Sequence, residues 1–271
     1  MSRSKQDRPK PTRRRRLLAP LVVTILVLVA AGLGSFFWTA HAMHTAVSDS
    51  RTGPSAPTTA AGSTAKSAAA ASQSALLAQV HGAVWAVNTL DAEGNPSVGS
   101  AFAVVSGPSQ TLLVTSYSVV AAATYRAAPP LQVNQGGGPD QPVTLRTWDP
   151  GHDLALLVMA VGNQPVLHGT GGIPAAAGQA VDMVSGAGGA NGAIAAGKLL
   201  AVSATALADD IPPGNDGRGG PVIDTSGDVV GVASSAFMPP PSAATPTGAH
   251  VGVPIGVVCA EVLVCPGGSF P

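Results

Sequence analysis

The stretch "PPGNDGRGGPVIDTSGDVVGV", residues 212–232, joins a glycine-rich turn to two short apolar runs. Its "TSGD" segment, 225–228, separates "PVID" from "VVGV" and is typical of the turn of a β-hairpin. The preceding "GNDGRGGP" carries Asp216 and Arg218. It is not a phosphate-binding loop, because it lacks a Gly-Lys-Ser/Thr sequence entering a helix, and Asp216 would repel an anion.

Apolar runs like those on either side of this turn recur from residue 75 onward, separated by Gly, Pro, Asn and Asp. They are residues 82–90, 98–105, 111–120, 142–148, 153–159, 179–185, 192–204, 220–224, 228–237 and 250–255. Such spacing predicts an all-β sandwich or pair of barrels. Only "PIGVVCAEVLV", residues 254–264, is predicted to be helical.

The charges of the chain are segregated, although the formal net charge is zero. Residues 1–16 carry a net charge of +7, whereas residues 75–271 carry −8. A nucleic-acid surface needs clustered Lys and Arg, so the acidic body predicts no nucleic-acid partner.

Residues 17–38 are 22 consecutive uncharged residues directly after "RRRR". As a helix they would span about 33 Å, enough for a bilayer core of roughly 30 Å. The positive-inside rule makes residues 1–16 a basic cytoplasmic tail and 17–38 a transmembrane signal anchor. A cleaved signal peptide is the alternative, because "AHA" at 40–42 resembles a cleavage site.

Either alternative places everything after residue 45 outside the cytoplasm, and the favoured anchor predicts a single-pass protein of the cell membrane. Residues 39–74, rich in Ala, Ser, Thr and Pro, are predicted to be a disordered linker, and residues 75–271 to be the folded domain. Outside the cytoplasm, Cys259 and Cys265 favour a disulfide over metal ligands or reactive thiols. They are six residues apart, so the predicted helix must end between them.

Three segments carry a resemblance to a known family. In chain order they are "LLVTSYSVVAAA" (112–123), "DPGHDLALLVM" (149–159) and "PPGNDGRGGPVID…GDVVGV". They resemble trypsin-like serine peptidases, and more narrowly the envelope-located HtrA/DegP-type branch. The resemblance covers residues 78–265 and implies two six-stranded β-barrels with a catalytic cleft between them. It also implies a Ser-His-Asp triad and an oxyanion hole.

Two of the three triad positions do not match the family. Ser118 stands at the position of the histidine, Arg218 at that of the serine, and only Asp153 is retained. The resemblance implies that Asn215, Gly217, Gly219 and Gly220 are remnants of the oxyanion loop. Arg218 has no lone pair with which to attack a carbonyl, and Ser118 cannot serve as a base near neutral pH. Ser118 is smaller than histidine, so the guanidinium of Arg218 either pairs with Asp153 or points to solvent.

The other histidines offer no clear replacement. His152 is expected to be a turn residue, and His41, His44, His81, His168 and His250 show no metal-ligand spacing. No cofactor and no metal are therefore predicted.

The sequence predicts a membrane-anchored, extracytoplasmic and catalytically inactive homologue with a binding or regulatory role in the cell envelope. A protein or peptide would bind in the former substrate cleft or on the proline-rich loop 239–246. The alternatives are an active serine endopeptidase with a displaced triad and a purely structural envelope component.

Overall fold

The computed structural model describes residues 74–76, 78–125, 127–170, 175–187, 193–243, 245–265 and 270. The predicted cytoplasmic tail, the anchor 17–38 and most of the linker lie outside the described residues. Within those that are described, no helix is both long enough and apolar enough to cross a membrane. Residues 74–76 and 78–81 are helical, so Ser74, assigned above to the linker, belongs to a helical turn before the first strand.

Twelve strands in the described part of the chain form two closed barrels, which confirms the predicted fold. The first barrel runs in the order β1-β2-β3-β6-β5-β4, and the second in the order β10-β11-β12-β9-β8-β7. The strands of the first barrel are β1 Val84–Leu90, β2 Pro96–Ser106, β3 Thr111–Ser116, β4 Gln132–Asn134, β5 Gln141–Asp149 and β6 Leu154–Met159. Those of the second are β7 Ala180–Ser185, β8 Ala193–Val202, β9 Leu207–Asp209, β10 Pro221–Asp224, β11 Val229–Val232 and β12 His250–Pro254.

Each of the ten apolar runs contains one strand. The predicted hairpin is β10–β11, whose turn is closed by the Asp224 carboxylate. Its Oδ1 accepts hydrogen bonds from the N–H groups of Ser226 at 2.8 Å and Asp228 at 3.1 Å. The sequence reading missed β4 and β9, each of which has only three residues.

The two barrel interiors are filled mainly by aliphatic side chains. Phe102, Leu113 and Leu157 are fully buried in the first barrel, and Leu199 and Leu207 in the second. Burial of each CH₂ group stabilises the folded state by about 0.8 kcal/mol, so these side chains are the main source of stability. The polar site at the edges of the barrels is the exception.

After the first strand, three short α-helical segments occur in the described part of the chain: α1 Tyr117–Val120, α2 Gly214–Gly217 and α3 Ile255–Val258. A 3₁₀ turn, Ala121–Thr124, follows α1, and a π-helical turn, Cys259–Leu263, follows α3. The C-terminal helix ends at Val264, which has a φ of 55° in the left-handed region. This end lets Cys259 and Cys265 form a disulfide with their Cα atoms 5.0 Å apart, as predicted.

Asp209 is a buried carboxylate at the end of β9, opposite His250 of β12. Burial raises its pKa to about 6, and the charge of Asp210 adds to this, whereas the Ile211 N–H and His250 oppose it. Because the folded pKa exceeds the unfolded value, Asp209 stabilises the fold most at pH values below about 4. This contribution is lost as the pH rises through about 6.

We expect Asp209→Asn to remove this loss, because the amide stays neutral and its oxygen still accepts the Ile211 N–H bond. Relative to the wild type, the variant should gain about 2 kcal/mol in unfolding free energy between pH 4.5 and 7.5, measured by urea denaturation. Asp140→Asn, at an exposed position, is the control. Equal pH dependence in wild type and Asp209→Asn would contradict the prediction.

Candidate functional site

Asp153 lies directly before β6 and is almost fully buried, with 2% of its surface exposed. Its φ of 53° is in the left-handed region, which aspartate tolerates better than most residues. Its backbone carbonyl accepts a hydrogen bond from the N–H of Tyr117 at 3.0 Å. The main chain thereby joins the start of β6 to α1, and the carboxylate points at the residues around Ser118.

The carboxylate of Asp153 accepts hydrogen bonds from three serines. The N–H of Ser118 donates to Oδ1 at 2.6 Å, and the hydroxyl of Ser234 donates to Oδ2 at 2.5 Å. The Ser116 hydroxyl also donates to Oδ2, and Ser118 Oγ lies 3.2 Å from the same oxygen. The buried charge is therefore satisfied by neutral donors, which is how a carboxylate away from water can be tolerated.

Ser118, at the position of the family's histidine, lies in α1 and is half-buried. Its hydroxyl is 2.8 Å from that of Ser116 as well as close to Asp153. Its proton can be donated to either neighbour, but the side chain offers no nitrogen that could take a proton from a nucleophile. The residue keeps contact with the aspartate and loses the function of a base.

Arg218, at the position of the family's serine, takes neither of the two orientations considered above. Its Nη2 donates to the carbonyl of Val98 in β2 at 3.1 Å, and its Nε donates to the carbonyl of Asn215 at 3.2 Å. The guanidinium is half-buried, and the ion pairs of the described residues include none between Arg218 and Asp153. The pairing hypothesis is wrong because serine hydroxyls already occupy the carboxylate, and the guanidinium instead binds backbone carbonyls of both barrels.

The remnant loop, residues 214–220, is held by main-chain hydrogen bonds, one within the loop and one to Ala233. The N–H of Gly219 donates to Ala233 at 2.8 Å, and the N–H of Gly220 donates to Gly217 at 3.0 Å. These two N–H groups are therefore already bonded within the protein. Gly219 has a φ of 79°, and a Cβ there would lie 2.4 Å from the Thr115 hydroxyl, so only glycine fits.

Ser100 of β2 fastens the remnant loop to the first barrel. Its N–H donates to the carbonyl of Arg218 at 2.7 Å, and its hydroxyl donates to the carbonyl of Asp216 at 2.5 Å. The same hydroxyl accepts the N–H of Gly186 at 2.8 Å. Two carbonyls of the loop are thereby directed toward the interior between the barrels.

His152 precedes Asp153 in sequence but does not contact its carboxylate. Its Nδ1 contacts the Asp149 carboxylate, and its ring centroid is 6.0 Å from that of Phe237. The predicted turn residue is thus half-buried and paired. The hydrogen bond and the charge of His152 hold the pKa of Asp149 below its ordinary value, against the opposing effect of burial. In the described residues no serine or threonine hydroxyl is hydrogen-bonded to an imidazole.

One group of side chains could hold a metal ion. Asp149, His152 and Glu261 offer ligand atoms within 4.8 Å of one another. The sequence reading missed this group because Glu261 is more than 100 residues from the other two. It also missed Ser234, since a serine in an apolar run carries no local signal of a contact with Asp153.

The chain is similar in sequence to one known family. Residues 99–232 match the family model of the trypsin-like peptidase domain. Together with the two barrels and the position of Asp153, this match confirms the expected family, and the domain is a member of the trypsin-like serine peptidases. No curated protein sequence matches the chain significantly.

Solved structures share the fold at low sequence identity. Deg5 aligns with a TM-score of 0.57 and 17% identity, over 71% of this chain and 93% of Deg5. The serine endoprotease from Yersinia pestis aligns with a TM-score of 0.53 and 18% identity, over 69% of this chain and 64% of that protein. Both similarities agree with the HtrA/DegP-type branch at the level of the fold.

We expect Asp153→Ala to destabilise the domain by about 2–4 kcal/mol, because two buried hydroxyls, one half-buried hydroxyl and one N–H would lose their common acceptor. The measurement is the unfolding free energy in urea at pH 7. Asp140→Ala, at an exposed position, should change it by less than about 0.5 kcal/mol. Equal effects of the two substitutions would show that the serine contacts contribute nothing to stability.

Proposed function

We propose that this protein is a catalytically inactive trypsin-like peptidase homologue with a binding or regulatory role in the cell envelope. The observation that carries the proposal is the combination of Ser118 and Arg218 at the two triad positions, with serine hydroxyls around Asp153. Acyl transfer needs a nucleophile whose proton is taken by a base, and loss of one triad member typically costs several orders of magnitude in rate.

The alternative, an active endopeptidase with a displaced triad, needs a hydroxyl beside an imidazole. In the described part of the chain, the paired histidine is His152, and its partner is the carboxylate of Asp149 rather than a hydroxyl. No observation on the described residues favours this alternative.

We further propose that residues 17–38 anchor the chain in the cell membrane, with residues 1–16 in the cytoplasm and the barrels outside it. The support is the net charge of +7 before the 22-residue uncharged stretch. The Cys259–Cys265 disulfide fits an oxidising compartment. The linker 39–74 would give the domain reach from the membrane.

The proposed partner is a protein or peptide that binds in the former cleft and on the loop 239–246. Met238, which directly precedes this loop, is 85% exposed. It follows Phe237, whose N–H donates to the Ser234 hydroxyl at 2.8 Å. Met238 is therefore linked to Asp153 through Phe237 and Ser234.

We expect the purified chain not to react with a fluorophosphonate probe, because no serine or threonine hydroxyl among the described residues is hydrogen-bonded to an imidazole. The measurement is the mass of the intact protein after incubation, with an active trypsin-like peptidase as the positive control. Stoichiometric labelling that disappears in Ser118→Ala or Ser234→Ala would contradict the proposal and support the endopeptidase.

We expect Met238→Ser to reduce the capture of envelope proteins by the tagged chain, because it removes the most exposed apolar side chain beside the site. Captured proteins are quantified by mass spectrometry against the wild type. Val105→Ser, which changes a 40% exposed side chain on β2, is the matched control. If both variants capture the same proteins as the wild type, the loop is not the contact surface and a structural role is favoured.

A further inference from the structure

A group of three potential metal ligands lies where the C-terminal helix meets the first barrel. Asp149 is the last residue of β5, and His152 lies in the turn between β5 and β6. Glu261 lies in the π-helical turn Cys259–Leu263, which follows the last strand of the second barrel. Their ligand atoms lie within 4.8 Å of one another. The group thus draws on both barrels.

We propose that Asp149, His152 and Glu261 bind a divalent transition-metal ion of the zinc type. One imidazole nitrogen and two carboxylate oxygens form a donor set that suits zinc, and three protein ligands leave a fourth position for water. Mg²⁺ and Ca²⁺ prefer all-oxygen sites, so the imidazole favours a transition metal over them. The site is separate from the proposed inactivity, since none of its ligands is a triad position.

The three side chains are close enough to share an ion, although Asp149 and His152 also contact each other directly. Asp149 contacts His152, whereas Glu261 lies within 4.8 Å but makes no ion pair with His152. Ligand atoms around a tetrahedral zinc ion lie roughly 3.4 Å apart, given zinc–ligand distances of about 2.0–2.1 Å. Glu261 is exposed, so a rotamer change of about 1 Å closes the gap without moving the backbone.

The charges around the group also favour a cation. Only four cationic residues, Arg126, Arg146, Lys198 and Arg218, occur after residue 75. Among the described residues, neither Asp149 nor Glu261 forms a salt bridge with a lysine or arginine. Two carboxylates therefore face one imidazole with no fixed positive charge, and a divalent ion would neutralise them.

The side chains of Asp149 and His152 are held in place before any ion binds, and so is the helical turn that carries Glu261. The Asp149 Oδ1 atom accepts the N–H of Gly151 at 2.8 Å, and the His152 ring lies near Phe237. The Cys259–Cys265 disulfide encloses Glu261 and restrains its helical turn. Such restraint lowers the entropy lost on binding. The ion would bind the lone pair of one nitrogen of the neutral imidazole, whose single proton then lies on the other ring nitrogen.

A bound ion would cross-link the C-terminal helix to the β5–β6 turn, and hence one barrel to the other. The turn ends at Asp153, the residue after the ligand His152. Metal binding would therefore restrain the backbone of the Asp153 site as well as stabilise the fold by ligand binding.

The test is zinc titration of the full chain, purified in detergent and stripped with a chelator, by calorimetry against a competing chelator. We expect one zinc ion to bind at micromolar concentration and to raise the Tm. His152→Gln and Glu261→Gln should each lower the affinity at least about tenfold and abolish the Tm increase. Their Tm values without zinc should match the wild type, since neither side chain lies in a core.

The controls are His168→Gln and Glu93→Gln, which change the same residue types elsewhere and should bind zinc as the wild type does. Unchanged affinity in His152→Gln and Glu261→Gln would overturn the proposal and place the ion elsewhere, for example at His41 and His44. Absence of micromolar binding by the wild type would also overturn it. Equal affinity for Mg²⁺ and Zn²⁺ would overturn its zinc-type selectivity.

Discussion

The carboxylate of Asp153 is the constraint on which the arrangement of this site depends. A charge with 2% exposure is tolerated only if its oxygens are hydrogen-bonded, and here the donors are the Ser118 N–H and the hydroxyls of three serines. In the catalytic arrangement that the family implies, a histidine would be the partner of this carboxylate. Serine satisfies the same charge without supplying a base, and this difference is the physical basis of the proposed loss of activity.

In the remnant loop, a second position of the family's triad, that of the serine, is occupied by a different residue, Arg218. Where a nucleophile would be exposed to substrate, Arg218 donates to the carbonyls of Val98 and Asn215. Ser100 binds the carbonyls of Arg218 and Asp216 from the first barrel. The loop has become a set of contacts between the barrels, and its glycines are retained because the backbone packs too closely for a Cβ. Ser100 and Arg218 thereby connect the two barrels at the position that the family uses for its nucleophile.

The fold could be predicted from the sequence because the pattern that specifies each strand lies within a few consecutive residues. Alternating apolar residues and turn residues located ten strands, and only β4 and β9, with three residues each, were too short to give a pattern. The end of the C-terminal helix was also predictable, because two cysteines six residues apart require it. The side-chain partners in the site could not be predicted in this way. Ser234 and Glu261 reach it from distant strands and turns, and the orientation of Arg218 depends on a carbonyl 120 residues away.

The central claim is that this site no longer hydrolyses peptide bonds. The most direct measurement is the release of peptides from an unfolded casein-type substrate, followed by mass spectrometry over long incubation with the purified chain. The account predicts that the peptide pattern is the same as with the Asp153→Asn variant and with no added protein. Cleavage by the wild type that disappears in Asp153→Asn or Ser118→Ala would contradict it.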